Sequence, residues 1–170
     1  MIADEQLTKN FRLYEFLKSD AAARSQVLTD RQFNPPTEVV ANLRITAAIL
    51  QQVRDFYGLP IRVSSGYRCP EVNTIIGSIS TSQHCKGEAV DFEPLDINAK
   101  EVDGTGYKRV GLWIRDNIQF RQMIKEFGTS QCPSWLHLAH RVKDNKKECL
   151  EIGKHTDGNY IPLDFNTWKP

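Results

Sequence analysis

The chain has 170 residues, 40% hydrophobic and 25% charged, which suits one compact domain able to bury its own core. Its 22 Lys and Arg nearly cancel 21 Asp and Glu, leaving a net charge of +1, so nothing in the balance calls for nucleic acid or a membrane surface as partner. No apolar run approaches a membrane span, and the opening MIADEQLTKN has no basic stretch followed by an apolar one, so a chain made without a signal peptide and kept in the cytoplasm until released is expected.

In chain order, short helices are expected across Arg12 to Ala23, and Pro35-Pro36 then interrupts the chain. Thr37 is a suitable cap for a long helix whose apolar stripe is Val40, Leu43, Ala47, Leu50, Val53 and Tyr57, and Gly58 is placed to end it. Ile61 to Ser64 alternates like a strand and stops at Ser65-Gly66. Pro70 opens a short helix over Glu71 to Ile76, and Ala89 to Phe92 reads as a second strand. The segment Leu95 to Tyr107, with its Asp-Gly-Thr-Gly run, reads as a mobile loop. Leu112 to Phe127 reads as a helix closed by Gly128, and Trp135 to Ala139 as a third strand. Arg141 to Lys147 is a basic, solvated loop, and the tail, with Asp157-Gly158 as a turn signal, is irregular or a last edge strand. Few, short strands among helices favour an α+β class in a single domain, with a core over about residues 10–145 and a tail over 146–170.

Cys69, Cys85, Cys132 and Cys149 form no C-x-x-C pair, which argues against a zinc ribbon and for four free thiols. The informative run is Ser82-Gln83-His84-Cys85-Lys86-Gly87-Glu88-Ala89-Val90-Asp91. Gly87 lets the backbone turn between a loop histidine and a strand aspartate, so both can converge on one ion. In Trp135-Leu136-His137-Leu138-Ala139-His140 the alternation of a strand puts His137 and His140 on opposite faces. Two histidines and one carboxylate leave a fourth vertex open, the design of a catalytic rather than a structural zinc. Spacing alone leaves other readings open: a surface-loop His84, a strand-end Asp91 and a hydrogen-bonded core His137.

The flanking residues narrow the choice. Val63-Ser64-Ser65-Gly66-Tyr67-Arg68, Asn73, Gly77, Ser82-Gln83-His84, Gly87, Ala89 and Asp91 stand in the order and spacing of the zinc D-alanyl-D-alanine carboxypeptidase family, as do Phe120 to Phe127 and Trp135-Leu136-His137. The chain resembles that family, which includes wall carboxypeptidases and phage endolysins, over roughly residues 10–145. The resemblance implies a small antiparallel sheet with flanking helices, as in the Hedgehog/DD-peptidase fold. It also implies one zinc ion held by His84, Asp91 and His137. Arg68 would hold a substrate carboxylate or carbonyl, with Ser64, Ser65 and Tyr67 lining the cleft; the guanidinium fork suits a carboxylate.

The chain departs from the family where its general base usually stands. Three residues before the last ligand, where many members have Glu, this chain has Ser134, whose hydroxyl cannot serve as a proton reservoir near neutral pH. A nearby position used as His in another branch is Cys132, and the expected Asp before the last strand is Arg121. Glu126, matching an acid common in this branch, is the first candidate for the base. His140 is a weaker alternative, and Glu88, next to the ligand strand, is expected to face solvent. The activity implied is hydrolysis of an amide in peptidoglycan stem peptides, of D-Ala-D-Ala carboxypeptidase or L-Ala-D-Glu endopeptidase type. The setting implied is a phage or prophage lysis or entry enzyme, monomeric if free. The alternative is a catalytically weak structural protein that keeps the metal fold beside virion tail proteins.

Overall fold

The computed structural model describes residues 4–141 and 143–168, and its contacts gather into two units. The first comprises residues up to 51 and 65–90; the second comprises 52–64 and 91–170.

The first unit is helical. Its opening helix α1 (Leu13–Leu17) is short because Lys18 leaves the helical region, and it buries Leu13, Phe16 and Leu17. A 3-10 turn (Ala22–Arg24) leads to α2 (Gln26–Gln32), so the expected helices from Arg12 to Ala23 are one helix and a separate turn. Gln32 is fully buried and satisfied: its Nε2 donates to the carbonyls of Leu17 (2.8 Å) and Tyr67 (2.6 Å), and its Oε1 accepts from Cys69 N (2.9 Å). A buried amide with every bond made fixes the chain that passes it, because leaving any one unmade would cost about 1–3 kcal/mol.

The long helix is α3 (Thr37–Tyr57), which runs from the first unit into the second. Leu43, Ala47, Leu50, Val53 and Tyr57 are buried along it as the stripe foretells. At the first turn Val39, not Val40, is the buried residue, a phase difference of one position. Gly58 then ends the helix at φ +78°, a conformation that costs an L side chain but not glycine. Helix α4 (Pro70–Ile75) starts on its proline, and a 3-10 turn (Gln83–Lys86) carries His84 toward the next strand.

The second unit holds nearly all of a six-stranded, mostly antiparallel sheet, in the order β1-β2-β4-β3-β5-β6. The strands are β1 (Ile61–Ser65), β2 (Ala89–Pro94), β3 (Gln122–Glu126), β4 (Trp135–Ala139), β5 (Glu148–Ile152) and β6 (Ile161–Pro162). The fold class is α+β, as the sequence indicates. Every residue of β2 is buried, and its small and apolar residues flank the two carboxylates Asp91 and Glu93. Helix α5 (Gly104–Asn117) is capped by Asp103, whose Oδ1 accepts from Thr105 N at 3.0 Å.

Two expectations fail here. The expected loop from Leu95 to Tyr107 is shorter than expected: Leu95 bridges Glu101, and Gly104-Thr105-Gly106 forms the first turn of α5. The expected helix from Leu112 to Phe127 stops at Asn117, and Gln122 to Glu126 is strand β3. Phe120, Met123, Ile124 and Phe127 do fall at helical spacing, which misleads. The strand wins because it sits between two partners, antiparallel to β4 (Ile124 opposite His137) and parallel to β5 (Ile124 opposite Leu150). The core side of β3 buries Lys125, 1% exposed, whose Nζ meets Glu151 Oε2 and Ser130 O, each at 2.6 Å. β5 itself, pairing with β3, goes beyond the single edge strand expected of the tail.

Candidate metal centre

His84 is held by the segment that follows β1. Its Nδ1 lies 2.6 Å from the Gly66 carbonyl, and its own carbonyl accepts from Arg68 N at 3.2 Å. A ring nitrogen committed to a backbone carbonyl fixes the tautomer and leaves Nε2 as the ligand atom. Gly66 is required for this contact: a Cβ there would meet Phe16 O at 2.5 Å. Gly87 is required for the next step of the chain. It turns at φ +70° against α3, where a Cβ would meet Val39 O at 2.6 Å, and so delivers the chain from His84 into β2.

Asp91 on β2 and His137 on β4 are joined directly, His137 Nδ1 to Asp91 Oδ1 at 2.8 Å. His84, Asp91 and His137 are 3%, 5% and 7% exposed, and one ligand atom from each lies within 4.8 Å of the others. Donors around a tetrahedral zinc, with bonds of about 2.0–2.1 Å, stand about 3.3 Å apart, so a small adjustment of side chains closes the set on an ion. Two imidazoles and one carboxylate are a zinc donor set, and three protein donors fall one short of a closed structural site. The residues therefore fit the metal.

The other sequence candidates sit as follows. Arg68 is half-buried, and its Nε donates to Ser65 Oγ at 3.2 Å. Ser64 is exposed at the end of β1, and Tyr67 is 4% exposed, with burial pushing its phenol up to about 12. Glu126 closes β3 instead of ending a helix. Its register partner is Trp135, as Ile124 is that of His137, so Glu126, Trp135 and His137 project from one face of the sheet. Trp135 Nε1 donates to Glu126 Oε2 at 2.8 Å. His140 is buried just past the end of β4, outside the three-residue group. Glu88 is half-buried, with Oε2 out of contact with water, and does not face solvent as expected. Cys85 and Cys132 also stay outside the group; burial pushes both thiols up, the Arg68 guanidinium pulling Cys85 the other way.

Two supporting contacts are invisible to motif reading: the Gly66 carbonyl on His84 and the Trp135 indole on Glu126. The only sequence signal for the first is a glycine inside Ser-Ser-Gly-Tyr-Arg, and for the second a tryptophan two residues before the last ligand. In comparison with known proteins, the profile of the family described as Peptidase M15 matches residues 9–110. No curated protein matches the chain.

Proposed function

The chain belongs to the peptidase M15 family, and from that premise we propose that it is a zinc-dependent peptidase that hydrolyses an amide bond in peptidoglycan stem peptides. The observation that carries the proposal is the convergence of the His84, Asp91 and His137 ligand atoms within 4.8 Å. When bound, zinc polarises an amide carbonyl and lowers the pKa of water to about 7.

The chain's own groups supply the rest. Glu126 is the general base and later the acid: it takes a proton at Oε1 or Oε2 as the amide carbon is attacked and returns it to the leaving nitrogen. It stands on the same sheet face as His137, and the Trp135 N–H holds one of its oxygens, which orients the carboxylate without neutralising it. With Glu126 in that role, Ser134 needs no catalytic part. Arg68, braced on Ser65, offers its guanidinium to a substrate carboxylate or carbonyl. The bond cut is of the D-Ala-D-Ala or L-Ala-D-Glu type, in a phage or prophage enzyme of lysis or entry.

The test is direct. Purified protein loaded with zinc is incubated with wall digests, and released amines and peptides are identified by mass spectrometry. Cleavage that chelation abolishes and zinc restores, and that His137→Ala lacks, is the expected result. Zinc at full occupancy with no cleavage of any wall fragment would instead favour a structural protein that keeps the metal fold, a reading motivated by Ser134 standing where many relatives have an acid.

A further inference from the structure

The sheet face that carries Asp91 and His137 continues beyond them. Glu93 lies two residues past Asp91 on β2, and Trp135 two residues before His137 on β4, so alternation keeps both on that face. Both line a cavity of about 380 Å³ whose other walls include Arg62, Glu101, Tyr107 and Cys132. That volume lies within the usual range of small-ligand sites, about 300–1,000 Å³. The peptidase chemistry described above uses none of its polar groups except through Trp135.

Several donors of this cavity are already engaged. The Tyr107 hydroxyl donates to Ser134 O at 3.0 Å, and the Trp135 indole donates to Glu126. The Arg62 guanidinium is clamped between two carboxylates: Nε donates to Glu93 Oε1 at 3.3 Å, and one Nη bonds both Glu93 and Glu101, the latter at 3.0 Å. One permanent cation set against two carboxylates leaves the wall with a surplus negative charge. Glu93 is 8% exposed and has Arg62 to compensate its burial, whereas the Glu101 side chain is 72% exposed and open to a second partner. The wall also offers carboxylate oxygen, which favours a cation that donates hydrogen bonds. An anion would face the surplus negative charge.

We propose that this cavity is a specificity subsite for a side chain ending in a primary ammonium, carried by a residue flanking the scissile amide. Two strand residues span about 6.6–6.8 Å, roughly the reach of a lysine-type side chain from a backbone lying over Asp91 and His137. The orientation relative to a scissile bond rests on the peptidase reading; the selection of an ammonium does not.

Two fluorescent pentapeptides, L-Ala-D-Glu-L-Lys-D-Ala-D-Ala and its Nε-acetyl-lysine counterpart, separate the claims. Their binding to the chelator-treated full chain is followed by anisotropy, and their cleavage by the zinc-loaded chain by mass spectrometry. The lysine peptide should bind about ten-fold more tightly than the acetylated one. That preference should fall to about two-fold or less in Glu101→Gln, an exposed change that keeps the Arg62–Glu93 pair and should leave the melting temperature unaltered. Glu93→Gln, checked for folding by circular dichroism, should abolish the remainder. Equal binding of the two peptides by the wild-type chain, or a preference that survives in both variants, overturns the subsite. Preference without cleavage would retain the subsite and sink the peptidase reading; cleavage without preference would do the reverse.

Discussion

At the scale of single residues, the site depends on backbone contacts as much as on ligands. Gly66 can approach α1 only because it has no Cβ, and its carbonyl orients His84. Gly66→Ala should therefore weaken zinc binding by about 10–100-fold, the usual effect of losing a group that orients a ligand, as read by competition with a chromophoric chelator. An unchanged zinc affinity in a folded variant would show that the carbonyl does not orient the ring. Glu126 and Trp135 make a second such pair. Glu126→Gln should lower kcat by about 10²–10⁴-fold while zinc still binds, because the amide keeps the shape and loses the proton-accepting group. Trp135→Phe keeps a ring and loses the N–H, so its kcat should fall less, and the acid limb of its pH profile should move. Wild-type kcat in Glu126→Gln would return the search for a base to His140 or Glu88.

At the scale of elements, β3 is where local pattern and tertiary pairing disagree. Its sequence suits a helix, but two flanking strands and a buried ion pair hold it extended. Lys125 is the most exacting member, since its ammonium lies between Glu151 and the Ser130 carbonyl and over the Trp168 ring at 5.2 Å. Lys125→Met should destabilise the fold by about 2–4 kcal/mol, because it removes the ammonium from the mostly buried Glu151 carboxylate and leaves the His155 ring, at 3.1 Å, beside it. The double change Lys125→Met with Glu151→Gln should recover part of that loss in urea unfolding. Equal stability of the single variant and the wild type would mean that the pair contributes nothing to holding β3. Neither partner announces itself in the sequence, where Lys125 and Glu151 read as ordinary surface charges.

At the scale of the whole molecule, pH stability is set in part by phenols held out of water. Burial raises Tyr67 to about 12 from a usual 10, and burial likewise raises Tyr107 and Tyr57. A raised folded pKa means that the native state binds the phenolic proton more tightly than the unfolded chain. The stabilisation is complete below pH 10 and is lost as pH climbs toward 12. The melting temperature should thus fall steeply above pH 10, together with tyrosinate absorbance rising at unfolding; a flat melting temperature through pH 11.5 would contradict it. The chain's sequence by itself pointed to the three residues whose ligand atoms the structure brings within 4.8 Å of one another, to the α3 stripe apart from its first member, to β1, β2 and β4, and to the class of fold. These are local matters: a donor's chemistry is carried by its residue type, and periodicity reports which face is buried. Only the tertiary structure decided that Gln122 to Glu126 is a strand, that Glu126 shares a face with His137, that Gly66 holds His84, and that Arg62, Glu93 and Glu101 wall one cavity. Each of those depends on partners 9 to 39 residues away along the chain, and a pairing of that kind leaves no periodic trace in either segment.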